Sequence, residues 1–467
     1  MPELSPDSPK HRRGGSLRAV FSNLGWMLGG RGVAAVLGLL YLAVVTRTLG
    51  LERFGEFTLV IGTAQTITGL VGFQTWQLIV RYGMEHLHQE RMSALARLVK
   101  ACLALDVAAA VAGGVLAVVA VTLLGPEFGW DDNVRRYALL FCFVSLLAVR
   151  STAVGVLRLY GRFNIAAAAD TALPLARLIG ALLAMALAPR VESFILAWAA
   201  ADLIAAAFFW TAAIATMKGL KWRQGSFSLT RLREENPGIV GLAGITNAGQ
   251  SFTLVGKQGA VLLVGYFATP AAAGAFRVAH QLGQAMAKVG QLLSLSLFPE
   301  LMRARTASEG PEHFRALLLR TVGFASIAGV LVFLLLLLGG EFLLKLVSGA
   351  EFAGAYPLLL LLGSAAIIDF VAVGFGPALI AADRAWTTFR IQLFAAVILV
   401  GLLFALVSQF GPGGAAAAML AGSLLSAVLM GLATMRALRT GDPPVEGAEA
   451  VVLAGATADV DRVDRIG

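Results

Sequence analysis

Charge is scarce in this sequence. Only 14% of its 467 residues are Asp, Glu, Lys or Arg, where a soluble domain carries roughly 25%. Cysteine is scarcer: Cys102 and Cys142 are the only two, both inside apolar runs. That excludes a disulfide framework and any cysteine-spaced metal site. No Walker sequence and no nucleophile motif occurs, so nothing indicates ATP as a direct energy source or covalent catalysis. The "HLH" at His86–His88 sits in a charged loop without further ligands, too little for a metal site. External loops are short as well, none beyond about 20 residues, which leaves no extracytoplasmic domain to house a soluble active site.

What fills the chain is hydrocarbon. Residues are 58% hydrophobic, the mean hydropathy is +0.79, and apolar runs of 20 or more recur, the signature of an all-α polytopic membrane protein. Fifty-two glycines suit helices that approach closely in a bilayer. Twelve spans are predicted, at 21–46, 57–80, 98–124, 137–158, 164–188, 193–217, 239–264, 271–298, 316–338, 355–381, 387–410 and 413–436. Residues 1–20 and 437–467 read as disordered cytosolic tails, and 218–238 as a basic cytosolic linker, solvated or resting on anionic lipid.

The net charge of +9 needs no nucleic acid to explain it. With both termini cytosolic, cytosolic loops and tails together with the span ends beside them hold 25 of the 37 Lys and Arg, and external loops hold six, the bias expected of an inside-positive topology. An internal repeat divides the chain. Gly55-Glu56-Phe57 corresponds to Gly274-Ala275-Phe276 at an offset of 219, Arg97 to Arg315 at 218, Arg162 to Arg384 at 222 and Pro189 to Pro412 at 223. Two six-helix lobes, 21–217 and 239–436, follow, related by a pseudo-two-fold axis along the membrane normal because six is even.

Ten charged side chains fall within the spans away from their ends: Arg31, Asp106, Arg150, Asp170, Arg177, Asp202, Lys257, Arg277, Lys288 and Asp369. Each costs about 2.5–3.5 kcal/mol at a lipid-facing helix centre, so they must face the bundle interior or water. Depth suggests pairs. Arg150 and Asp170 lie equally far from the turn near Tyr160, and Arg177 and Asp202 nearly equally far from Arg190. These two pairs, with Asp369, are the candidates for ion pairing or ion coupling. Arg31, Lys257, Arg277 and Lys288 lack an acidic neighbour in sequence. Residues 277, 281, 284, 288 and 291 (Arg, Gln, Gln, Lys, Gln) share one helical face, a stripe of about 21 Å at 1.5 Å per residue. Thr66, Gln74, Gln77, Asn247, Gln250, Ser251 and Gln258 add polar groups on neighbouring spans. A positive, hydrated chamber is expected, with Arg31, Lys257, Arg277, Gln281, Gln284 and Lys288 as substrate-binding candidates. Unpaired cations invite an anion, and phosphate suits Arg. Interhelical hydrogen bonding without a ligand is the bland alternative.

Four stretches carry a family likeness: "VVTRTLGLERFGEFTLV", "LLVGYFATPAAAGAFRVAHQL", "LFPELMRA" and "ALIAADRAWTTFRIQ". In order and spacing they resemble the polysaccharide-flippase branch of the MOP (multidrug, oligosaccharidyl-lipid, polysaccharide) exporter superfamily, Wzx-like O-antigen flippases included. The resemblance implies two lobes in a V, as in MATE transporters, alternating access, no cofactor, and location in the bacterial inner membrane. It implies a lipid-linked oligosaccharide, on undecaprenyl pyrophosphate, as cargo, and a polysaccharide polymerase and chain-length regulator as partners. Cavity cations of such proteins engage the pyrophosphate or acidic sugars, and Arg31 and Arg277 stand on the matching helices. Where many relatives carry Asp, this chain has Lys257-Gln258-Gly259, a departure that leaves the coupling ion open. A multidrug exporter, a lipid II flippase and a membrane glycosyltransferase or polymerase are the rival readings. A cationic chamber suits cationic drugs poorly, twelve spans fall short of the fourteen usual for lipid II flippases, and the enzymes usually need a long external loop.

Overall fold

A computed structural model describes residues 13–217, 228–285, 310–381 and 384–440. Every regular element among them is helical. In chain order they are α1 (Arg13–Val71), α2 (Thr75–His88), α3 (Met92–Glu127), α4 (Asp132–Leu147), α5 (Ser151–Leu159), α6 (Phe163–Leu187), α7 (Val191–Thr216), α8 (Leu229–Glu235) and α9 (Ile239–Phe267). Then follow α10 (270–285), α11 (Gly310–Ser348), α12 (Tyr356–Val371), α13 (Phe375–Ala381) and α14 (Ala385–Thr440).

Seven of the described segments are long and apolar enough to cross a membrane. Two of them, Val33–His88 with 56 residues and Trp386–Ala437 with 52, would each measure about 80 Å if straight, more than twice a ~30 Å hydrocarbon core. Neither is straight. Gly50 takes φ 73°, a left-handed conformation open to glycine, and the chain turns there. Gly411 at φ 56°, followed by Pro412, turns the second. Apolar side chains cover the outside: Leu338 is 85% exposed, Leu187 82% and Leu147 73%. Such a belt is tolerable only against acyl chains.

Polar backbone in this setting needs partners, and local sequence supplies them at several helix starts. Asp131 accepts from Val134 N at 2.7 Å and opens α4, while Thr269 Oγ1 accepts from Ala272 N at 3.1 Å and opens α10, with Pro270 in its first turn.

Three predicted spans are not continuous helices. Residues 57–80 divide into α1 and α2 across Gly72, Phe73 and Gln74, 137–158 divide into α4 and α5 with Ala148, Val149 and Arg150 between them, and 355–381 divide into α12 and α13 around a 3-10 turn at Ala372–Gly374. Arg150 and Ala372 are 222 residues apart, the same offset that separates Arg162 from Arg384. The freed Val149 carbonyl is satisfied by Trp210 Nε1 at 2.9 Å. Tertiary contact, rather than a Gly or Pro, makes that break tolerable.

The larger core joins residues before and after α8: Leu42, Phe57 and Val60 of α1 bury together with Val261, Phe276, Leu359 and Val407. A second, smaller core lies among α2, α3, α5 and α7, including Ile79, Leu98, Val156 and Phe209. The expectation that the linker is merely solvated needs correction at its described end. The Arg97 guanidinium pairs with the Glu235 carboxylate (Nε to Oε2, 3.0 Å), His86 Nε2 lies 2.9 Å from Asn236 Oδ1, and Tyr82 donates to Pro237 O at 2.9 Å. The end of α8 is docked on α2 and α3. His86 Nε2 is therefore engaged by Asn236, and His88 Nδ1 meets Met84 O at 2.8 Å.

Candidate functional site

The interior face of α10 begins with Arg277. Its Nη1 donates to Gln258 Oε1 of α9 at 3.0 Å, and Gln258 Nε2 donates to Gln65 Oε1 of α1 at 2.5 Å. The relay links a cation through two neutral amides across three helices. No carboxylate among the described residues comes within 4.0 Å of Arg277. A half-buried guanidinium held by amides keeps its charge uncancelled and has donors left over. Its partial desolvation is unfavourable unless an anion compensates. Gln281 and Gln284 follow along α10, both half-buried.

The remaining substrate candidates are less visible. Arg31 stands on α1 and Lys257 on α9, but their side chains, like Lys288 and Gln291 entirely, lie outside the described residues. Gln65 was absent from the sequence candidates. Its signal was available, since it shares an apolar stretch with Thr66, but nothing local distinguished it from a packing amide.

Next along α1, Tyr41 lies within electrostatic reach of Arg177, Arg277 and Asp202. Arg177 of α6 and Asp202 of α7 form an ion pair at 2.8 Å. The Arg177 guanidinium also stacks 4.0 Å over the Trp198 ring. Tyr41 and Phe57 pack against that same indole, with ring centroids at 5.5 and 5.8 Å. This cation is already neutralised, so it differs in kind from Arg277. Arg150, expected opposite Asp170, sits at the α4–α5 break with its guanidinium 5.9 Å from the Phe209 ring centroid; the Asp170 side chain lies outside the described ones. Asp369 is exposed on α12, three residues before the 372–374 turn.

One end of the molecule is closed by contacts between the chain's two halves. Arg47 Nη2 donates to Leu346 O at 2.5 Å, and Leu51 N donates to Glu351 Oε2 at 3.0 Å. Phe54 meets Phe352 edge-on at 5.9 Å. A Cβ on Gly274 would lie 3.0 Å from Gly55 N, and one on Gly55 only 1.8 Å from Pro270 O, so backbone meets backbone there.

The all-helical membrane fold thus combines helix breaks at repeat-related positions with an interior cation that no described carboxylate meets. Residues 20–305 match the family described as "Polysaccharide biosynthesis protein". The chain belongs to this family. A member-like relative, the inner membrane protein YghQ of Escherichia coli (strain K12), is 28% identical over 352 residues, covering 74% of this chain and 97% of that one. Among solved structures, the lipid II flippase MurJ in an inward closed conformation is similar with a TM-score of 0.70 at 11% identity, over 89% of each chain. A MATE multidrug resistance transporter of the MOP superfamily, inward-facing, gives 0.65 at 14% identity, over 87% of this chain and 96% of that one. At such identities the likeness concerns fold: this polysaccharide biosynthesis protein has the MOP fold, in agreement with the resemblance carried by its sequence stretches.

Proposed function

We propose that the protein is a flippase of the bacterial inner membrane. It carries an oligosaccharide linked to undecaprenyl pyrophosphate from the cytosolic to the outer leaflet, for O-antigen or exopolysaccharide assembly. The observation that carries this reading is Arg277, an interior guanidinium held by Gln258 and Gln65 without a carboxylate. A sugar–pyrophosphate head cannot enter hydrocarbon unaided, because an unpaired charge there costs tens of kcal/mol in the Born limit. A cationic, amide-lined chamber replaces its water, while the prenyl chain stays among lipids. In this reading Arg31, Lys257, Arg277 and Lys288 engage the diphosphate, and Gln281 and Gln284 the first sugar.

Twelve crossings in two six-helix lobes, 21–217 and 239–436, joined by 218–238, supply alternating access. With both termini cytosolic, the end closed by Gly55 and Gly274 is the outer one, and the chamber waits on the cytosolic side. Opening that end releases cargo towards the polymerase and chain-length regulator.

Export of surface glycan from cells tests the reading. Arg277→Ala and Arg31→Ala abolish export at unchanged protein levels. Normal export from both variants contradicts it and leaves the polar stripe as packing. Cationic-drug efflux by the wild type favours the multidrug rival instead, and restored cell-wall synthesis in a cell lacking its lipid II flippase favours that rival.

A further inference from the structure

The flippase reading names no energy source. We infer that Asp106, midway along α3, is a proton-binding site that couples proton uptake to movement of the half-helices α2 and α5. The inference takes the transporter reading as given and concerns residues outside the cationic chamber.

Asp106 is 5% exposed. Its Oδ2 accepts from Thr152 Oγ1 at 2.6 Å, and Thr75 Oγ1 reaches both oxygens at 3.2 and 3.3 Å. The two hydroxyls touch each other at 3.1 Å. Thr75 is the first residue of α2 and Thr152 the second of α5. Both half-helices therefore open their N-terminal ends, with their partial positive charge, onto one carboxyl. The charge is held by hydroxyls and helix ends, with no Lys, Arg or His among the described residues within 4.0 Å.

The groups around it leave protonation to Asp106 itself. On its own helix Cys102 lies one turn away, and on α4 Cys142 is buried in the other core. Arg150, at the N-cap of α5, is turned to Phe209 of α7. Glu235, the last residue of α8, is engaged by Arg97, and Val71 of α1 lies against Gly113 of α3. Adding a proton removes the charge that both helix ends face and turns one hydroxyl from donor to acceptor. The α2–α5 pair, tightly packed where Gly155 meets Trp76, is then free to shift against α3.

Two observations separate this from a structural cap and from a Na+ site. At the equivalent break in the second half, 372–374, Phe324 stands where the repeat puts Asp106 and Gly374 where it puts Thr152, and the acid nearest in sequence, Asp369, belongs to the preceding helix α12. A broken helix in this fold does not need an acid at the Asp106 position. Val149 O and Gly72 O, each three residues before one of the two threonines, already accept hydrogen bonds, from Trp210 Nε1 and Asn247 Nδ2 at 2.9 Å each, and so are engaged by protein donors and not by a cation.

Infrared difference spectra of the full-length protein in lipid nanodiscs, without substrate, between about pH 5 and about pH 9 test this. The expected result is a protonated-carboxyl band that titrates in the wild type and is lost in Asp106→Asn. Thr152→Val and Thr75→Val keep the band with a midpoint displaced by about one pH unit, tenfold in proton affinity; they carry the test if Asp106→Asn does not fold. Identical spectra for wild type and variants, or a band that answers to Na+ against K+ at fixed pH, overturn the inference. A titrating band in a protein that flips no lipid would instead refute the transporter reading and leave this one standing.

Discussion

Gly55 and Gly274, equivalents in the two halves of the chain at an offset of 219, meet backbone to backbone, with a Cβ on Gly274 3.0 Å from the Gly55 nitrogen. Contact between repeat-equivalent residues puts the pseudo-two-fold axis between them. Closure of this end then depends on the absence of two side chains. Gly55→Val forces a methyl-bearing carbon into the Pro270 carbonyl, 1.8 Å away for the first carbon alone. The closed state loses about 1–3 kcal/mol by overpacking. Thiol reagents impermeant to the membrane, applied to a cysteine placed at Arg47, should label the variant several-fold faster than the glycine protein.

Gln258 is the sole described acceptor for Arg277 and itself donates to Gln65. Gln258→Leu strands a guanidinium in the interior, a cost of about 1–3 kcal/mol. Thermal unfolding in detergent should fall by several degrees, and glycan export with it. Gln65→Leu leaves the Arg277 bond in place and should cost less in both measurements.

The Arg177–Asp202 pair is partly buried, with 24% and 14% of the side chains exposed. Removing one partner leaves a charge beside Trp198 or Tyr41 uncompensated. Asp202→Asn and Arg177→Met should each destabilise by about 1–3 kcal/mol, less than the 3–5 of a fully buried pair. The double variant should be more stable than the sum of the singles, a positive coupling in a double-mutant cycle of melting temperatures.

The docked end of the linker predicts a protease phenotype. Arg97→Met removes the partner of Glu235 and frees α8, a seven-residue helix capped by Ser228. Trypsin cuts at Arg231 and Arg233 should appear several-fold sooner in the variant, while cleavage elsewhere keeps its rate.

The helices were legible because apolar runs in this chain are long and their ends carry Gly, Pro or charge: Gly50, Pro189 and Gly411-Pro412 all fall where the chain turns. The Arg177–Asp202 pair was legible from depth, since a hairpin of two straight helices fixes which residues share a level. The α1–α2, α4–α5 and α12–α13 breaks were not, although Gly72 stands at the first and Gly374, Gly376 and Pro377 at the last. At the α4–α5 break "LLAVRSTAV" holds no glycine or proline, and what permits the break is Trp210, 61 residues away, donating its indole N–H to Val149 O. The Asp106 cluster escaped for the same reason, as Thr75 and Thr152 come from segments 31 and 46 residues distant. Arg97 and Glu235 are 138 apart, and a basic linker gives no local sign that its acidic end is anchored.

Direct flipping decides the central claim. The purified protein is reconstituted in liposomes with a fluorescent oligosaccharide on undecaprenyl pyrophosphate, and an impermeant reagent destroys the label on the outer leaflet. Wild type should expose nearly all of the lipid, and Arg277→Ala only the half that starts outside, at equal protein incorporation. Equal exposure by wild type and Arg277→Ala, or none beyond empty liposomes by the wild type, contradicts the account.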